Sequence, residues 1–175
     1  MSEIPTAEEY WGERKTWNYY SKVLELAREF APDAATVLEV GPRDTPFLEQ
    51  FEWIPNKTAI DRYFRPVVRG ATNLQGDFLK FEPPGLFDLV LCLQVLEHLE
   101  SPQPFAQKLL ATGKIIIISV PYKWRAGYCK WHVQDPVDDD KLLSWTNREW
   151  LSRVVVEDQG VERLIAVFSG ATCCV

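Results

Sequence analysis

Two runs of this 175-residue chain are apolar at almost every position: Phe87-Asp-Leu-Val-Leu-Cys-Leu93 and Lys114-Ile-Ile-Ile-Ile-Ser-Val120. A strand with one wet face alternates apolar and polar residues; a strand without alternation is covered on both faces. Such strands belong to parallel sheets with helices packed on either side. The rest of the chain fits that frame. Thr36-Val-Leu-Glu-Val40 stops at Gly41-Pro42 and reads as the first strand. Lys57–Asp61 reads as the second and Asn73–Gln75 as a weak third. Phe87–Leu93 is the fourth, Lys114–Val120, closed by Pro121, the fifth, and Val161–Phe168 the sixth. Tyr19, Val23, Leu26 and Phe30 recur at helical spacing, which predicts a helix over Thr16–Phe30 that Pro32 ends. Shorter helices are expected over Pro46–Phe51 and Phe105–Ala111. Thr146 with Glu149 reads as a capping box opening a helix over Thr146–Val156. The expected fold is α/β: a Rossmann-like, doubly wound, mostly parallel sheet of six or seven strands with helices on both faces.

Length suits a single domain over 1–175. Its expected parts are an N-terminal aromatic helix or lid over 1–30, a cofactor-binding core over 36–121, a substrate-side loop over 122–145, and a C-terminal helix and strand over 146–175. Hydrophobic residues make up 46% and charged residues 25%, which excludes a disordered chain. Net charge is −6, so non-specific binding to nucleic acid is not expected. The N-terminus has no apolar core of a signal peptide, and the longest aliphatic run, Ile115–Ile118, cannot span a bilayer. A cytoplasmic protein without membrane contact is expected, and a homodimer is left open. Cys92, Cys129, Cys173 and Cys174 match no disulfide framework or paired zinc motif, so no metal is expected. The aspartates Asp138–Asp140 read as a solvated loop. Aromatic residues concentrate in two stretches, Tyr10–Tyr20 and Tyr122–Trp150. There they can cap the core or line a flat pocket.

In doubly wound sheets, ligands bind beyond the carboxyl ends of the strands, and each strand here ends in a residue suited to that. The first ends in Glu39-Val-Gly41, where a glycine lets the backbone approach a ligand. The second ends in Asp61, twenty residues on, placed to accept from both hydroxyls of a ribose. Gly76-Asp77-Phe78 follows the third, a carboxylate for an exocyclic amine beside an aromatic face. Leu93-Gln94 ends the fourth, before Val95-Leu-Glu-His-Leu99. A single nucleoside site explains the whole ordered set.

The stretch from Val37 to Pro121 resembles the class I S-adenosylmethionine-dependent methyltransferases. It is closest in character to the small-molecule branch with an L-E-H motif: Leu96-Glu97-His98-Leu99-Glu100-Ser101-Pro102, preceded by Phe87-Asp88-Leu-Val, matches that pattern. The likeness covers about half the chain, and reaches its end if Ser144–Leu151 is the usual penultimate helix. Trp131-His132-Val-Gln-Asp135-Pro136 is similar to methyltransferases of bacterial surface-polysaccharide and secondary-metabolite pathways. The resemblance implies S-adenosylmethionine as cofactor. Glu39 and Gly41 would lie along its methionine part, with Arg43 reaching the methionine carboxylate. Asp61 would hold the ribose, with Arg62 or Tyr63 beside the adenine. Asp77 would take the adenine amine, Phe78 would flank the ring, and Leu93 and Gln94 would lie near the sulfonium. Two departures stand out. The family loop E-x-G-x-G-x-G reads Glu39-Val-Gly-Pro-Arg-Asp-Thr45 here, and the antiparallel seventh strand is expected to be missing.

Methyl transfer to an oxygen requires an oriented acceptor and a group to take its proton. The chain has two histidines, His98 and His132, and either could be that catalytic base. Glu97 is also a candidate to face the site. The expected activity is methylation of a small-molecule acceptor, a sugar or secondary-metabolite hydroxyl. The alternative is a non-catalytic methyltransferase-like binding or scaffolding domain, motivated by the altered loop and the missing strand. A nicotinamide reductase is a third reading, but its pyrophosphate needs the fuller glycine loop.

Overall fold

The structure, a computed structural model, describes residues 7–171, with side chains from residue 11 onward. Cys173 and Cys174 lie outside the described residues. The apolar runs form the middle of one seven-stranded sheet of order β3-β2-β1-β4-β5-β7-β6. Strands β1 (Thr36–Val40), β2 (Asn56–Asp61), β3 (Ala71–Gln75), β4 (Phe87–Leu93) and β5 (Gly113–Pro121) are mutually parallel. β7 (Val161–Ser169) runs antiparallel to both β5 and β6 (Ser152–Asp158).

Both faces are covered, which is why the central strands carry no alternation. On one face α2 (Asn18–Phe30) lays Tyr19, Val23, Leu26 and Ala27 on Val37, Leu89, Leu91, Ile117 and Ile165. A shorter helix, α1 (Ala7–Arg14), precedes it, and Trp11 meets Tyr20 edge-on at 5.0 Å. On the other face α3 (Pro102–Thr112) and α4 (Asp139–Thr146) pack Phe105, Leu109, Leu142 and Trp145 on Val90, Cys92, Ile116 and Ile118. The edge strands β3 and β6 are half-exposed, with no second face to bury.

The C-terminal quarter differs from the sequence expectation. Thr146 does not open a helix; it closes α4. Its hydroxyl donates back to the carbonyls of Leu142 and Leu143, and Asn147 takes the left-handed conformation of a C-cap. The cap at the start of α4 is Asp138, whose carboxylate accepts the Lys141 amide at 3.0 Å. Asp138–Asp140 are therefore the cap and first turn of α4 rather than a loop, and Asp139 also accepts from Tyr122 and Arg153. Ser144–Leu151 accordingly straddles a helix end. The stretch expected to continue as helix is β6, where Val154-Val155-Val156 favours a strand. Residues 146–171 are a strand hairpin, not a helix and strand. The seventh strand is present: Val161–Ser169 is itself the antiparallel strand, and β6 is the one not foreseen.

The hairpin also completes α2. Trp17 offers no side-chain cap, and Asp158, at the end of β6, accepts the amides of Asn18 and Tyr19 at 3.1 and 2.8 Å. A carboxylate there also suits the positive end of the helix dipole. Asp158→Ala should cost about 1 kcal/mol and lower the Tm by roughly 2–4 °C. Thermal unfolding followed by circular dichroism checks this, and an unshifted transition would contradict the cap.

Candidate active site

The chain runs outward from β1 through β2 to β3, then returns to β4 on the other side of β1. That reversal opens a crevice at the carboxyl ends of β1 and β4. Gly41 lies there at φ 77°, and a Cβ on it would stand 2.6 Å from Val95 Cγ2, so no other residue fits without displacement. The next turn forms without the missing glycines. Arg43 takes the left-handed conformation itself, at φ 59°. Its amide donates to Asp61 Oδ2 at 2.9 Å, and the Thr45 amide and hydroxyl donate to the Pro42 carbonyl. The other Asp61 oxygen accepts the amides of Tyr63 and Phe64 at 2.8 and 3.0 Å. The Arg43 guanidinium lies over the Phe64 ring, 3.3 Å from the Asp44 carboxylate.

The other expected cofactor contacts divide. Glu39 is buried, and its Oε2 has no hydrogen-bond partner among the described residues. Burial pushes its carboxyl up to about 8. Asp77 caps a short 3-10 turn, accepting the Leu79 amide at 3.0 Å. Phe78 is a correction. Its ring is 3% exposed and packs on Phe105 in the core under α3, so it presents no surface for a purine. Arg62 is exposed, with its guanidinium over the exposed ring of Tyr63. Leu93 ends β4, and Gln94 just after it, at φ 58°, donates its side-chain amide to Ser119 Oγ.

Beside this crevice lies a second cluster. The L-E-H turn brings Glu97 and His98 against the segment after β5, where the Val133 amide donates to the Glu97 carbonyl. The His98 and His132 rings meet edge-on, 4.8 Å apart. His98 Nδ1–H donates to the Trp131 carbonyl at 2.9 Å. His132 Nδ1–H donates to Asp135 Oδ2 at 2.8 Å, both side chains being buried. Burial pulls His98 below the usual histidine range, against the Trp131 carbonyl, which favours the charged ring. Glu97 is fully buried; burial, with the Asp135 charge adding to it, pushes its carboxyl up to about 8.

Four residues here escaped sequence reasoning. Tyr19 hydrogen-bonds Ser119 at 2.5 Å. Arg163, on β7, is buried under the rings of Trp17, Tyr19 and Trp124. Asp135 orients His132. The available signals were a serine inside an isoleucine run, an arginine inside an apolar strand, and the His-x-x-Asp spacing. A cleft of about 240 Å³ adjoins the cluster, lined by Tyr122, Lys123, Trp124, Arg125, Tyr128 and Glu162. Trp124 stacks on His132 at 5.5 Å.

These residues fit a cationic cofactor with an amino-acid end, as S-adenosylmethionine is. A buried carboxyl with an unsatisfied oxygen is costly until an ammonium or similar donor meets it, and Glu39 stands in that state where Gly41 permits close approach.

A profile described as a methyltransferase domain matches residues 10–162. No curated protein sequence matches the chain. Among solved structures, the N-methyltransferase NodS from Bradyrhizobium japonicum WM9, in complex with S-adenosyl-L-homocysteine, superposes with a TM-score of 0.67 at 18% identity, covering 89% of this chain and 87% of that one. CalS10 from Micromonospora echinaspora, an S-adenosylmethionine-bound amino pentose methyltransferase, gives 0.68 at 16% identity, covering 97% and 99%. The magnesium protoporphyrin IX methyltransferase of Synechocystis PCC 6803 gives 0.65 at 10% identity, covering 98% and 90%.

Glu39 yields a test of sign. Its folded pKa, about 8, lies above the ordinary carboxyl value of 4.5, so folding takes up a proton between the two. Its contribution is most favourable below about pH 4.5, declines as pH rises, and levels off above about pH 8. Glu39→Gln removes that dependence. The ligand-free variant should gain on the wild type across this window, by a few kcal/mol at its upper end. Denaturant unfolding at about pH 5 and about pH 9 measures the gain, and an equal difference at both would contradict the assignment.

Proposed function

Since the chain belongs to the methyltransferase-domain family, we propose that it moves the methyl group of S-adenosylmethionine onto a hydroxyl of a small-molecule acceptor, a sugar or secondary metabolite. The bound cofactor supplies a methyl group on a sulfonium, already a good leaving group. The protein's task is to orient the acceptor, exclude water and handle one proton.

The observation that carries this reading is the buried His132–Asp135 pair beside His98. Asp135 fixes the His132 tautomer, so Nε2 carries the lone pair; the Trp131 carbonyl does the same for His98. The two histidines hold the acceptor hydroxyl and draw on its proton. Glu39 and Gly41 serve the amino-acid end of the cofactor, and Asp61 its ribose through the capacity its amide bonds leave. The exposed Tyr128 and the stacked Trp124 offer flat apolar walls beside charged groups, a surface suited to a sugar ring. The amino pentose methyltransferase among the structural neighbours supports that acceptor class. In this assignment 36–121 is the cofactor core, 122–145 the acceptor side, and 1–30, of which 1–6 lie outside the described residues, its cover. One motive for a non-catalytic reading, the missing seventh strand, is gone.

His132→Ala should lower kcat by about 100-fold or more while leaving S-adenosylhomocysteine affinity unchanged. Trp124→Ala should raise the acceptor KM more than it lowers kcat. Formation of S-adenosylhomocysteine over a panel of hydroxylated sugars and metabolites provides the assay. Wild-type kcat in His132→Ala would refute the assignment.

A further inference from the structure

Glu97, His98 and His132 each bring one ligand atom within 4.8 Å of the other two. Glu97 is 0% exposed, and neither of its carboxyl oxygens has a hydrogen-bond partner among the described residues. A buried carboxyl in that state is costly unless a species from outside the chain satisfies it. His98 Nε2 stands 4.0 Å from Glu97 Oε1, beyond hydrogen-bonding distance. Two ligands about 2.0–2.2 Å from a shared ion lie roughly 3.3–3.6 Å apart at a tetrahedral angle, so this pair can share an ion after closing by about half an ångström. Both imidazoles are also prepared in the way metal-bound histidines are. Each gives Nδ1–H to an oxygen, His98 to the Trp131 carbonyl and His132 to the Asp135 carboxylate, which fixes the ring and leaves Nε2 unprotonated.

We propose that Glu97, His98 and His132 form a site for one divalent first-row transition ion. Two imidazoles and one carboxylate suit Zn²⁺, Co²⁺ or Fe²⁺ and leave coordination positions open. The proposal deepens the functional reading and rests on it: with the ion bound, the nitrogen lone pairs hold it in place of the acceptor proton, the acceptor hydroxyl oxygen takes an open position, and the ion acidifies that hydroxyl so that its proton leaves to water.

The full-length protein, stripped with a chelator, is titrated with Co²⁺ by calorimetry and visible absorption. One saturable equivalent should bind, with the d–d bands of nitrogen and oxygen ligands. Glu97→Gln and His132→Gln should each weaken it by about tenfold or more, in variants whose circular dichroism matches the wild type. His98→Gln, on a more exposed side chain, repeats the test if a buried substitution fails to fold. The proposal is overturned by the absence of saturable binding in folded protein, by affinity that all three variants leave unchanged, or by a thiolate-to-cobalt charge-transfer band. S-adenosylhomocysteine titration of the stripped protein separates the two readings. Normal binding there, without a cobalt site, defeats the metal alone; absent binding in both stripped and untreated protein defeats the functional reading.

Discussion

The carboxylate of Asp61 ties together the two loops between which a cofactor must fit. It accepts the Arg43 amide from the loop after β1 and the Tyr63 and Phe64 amides from the loop after β2. Hydrogen bonds to a charged acceptor are stronger than neutral ones, and these do the work that glycines do in the family's usual loop. A non-glycine residue at φ 59° costs on the order of 1–3 kcal/mol; Arg43 holds that conformation because its amide has a carboxylate to meet. Asp61 is thus structural before any ligand arrives, and a substitution there disturbs the cradle as well as the contact.

The edge that Asp61 organises is where the molecule keeps polar groups that the fold alone does not satisfy. The central strands are sheathed in apolar side chains on both faces. Glu39, Glu97, Ser119 and Arg163 are nonetheless buried toward their carboxyl ends. Glu39 Oε2, both Glu97 oxygens and Arg163 Nη1 have no hydrogen-bond partner among the described residues. Buried groups without partners cost stability, so their concentration at the ends of these strands marks where function, rather than folding, fixed the residue. In the proposed function Glu39 answers to the cofactor and Glu97, with the two histidines, to the acceptor.

Much of this was legible in the sequence because it is local. Apolar runs with no alternation announced β4 and β5, and a turn glycine followed twenty residues later by Asp61 marked the ends of β1 and β2. The C-terminal quarter was misread because Thr146 and Glu149 mimic a helix start, whereas the helix had already begun at an Asp138 cap. The β-branched run Val154–Val156 favours a strand, and pairing with β7 secures it against the helix that Thr146 and Glu149 suggested. Phe78 was misplaced because a sequence places an aromatic next to a turn without saying which way it faces. Tyr19, Ser119, Arg163 and Asp135 are joined by contacts that cross the sheet edge or depend on side-chain direction, which periodicity does not carry.

Calorimetric titration of the folded protein with S-adenosylhomocysteine, beside Asp61→Asn, addresses the central claim most directly. The account predicts one micromolar site in the wild type and its loss in the variant, where one amide acceptor becomes a donor. Absence of binding to folded wild-type protein, or equal affinity in the variant, would contradict it.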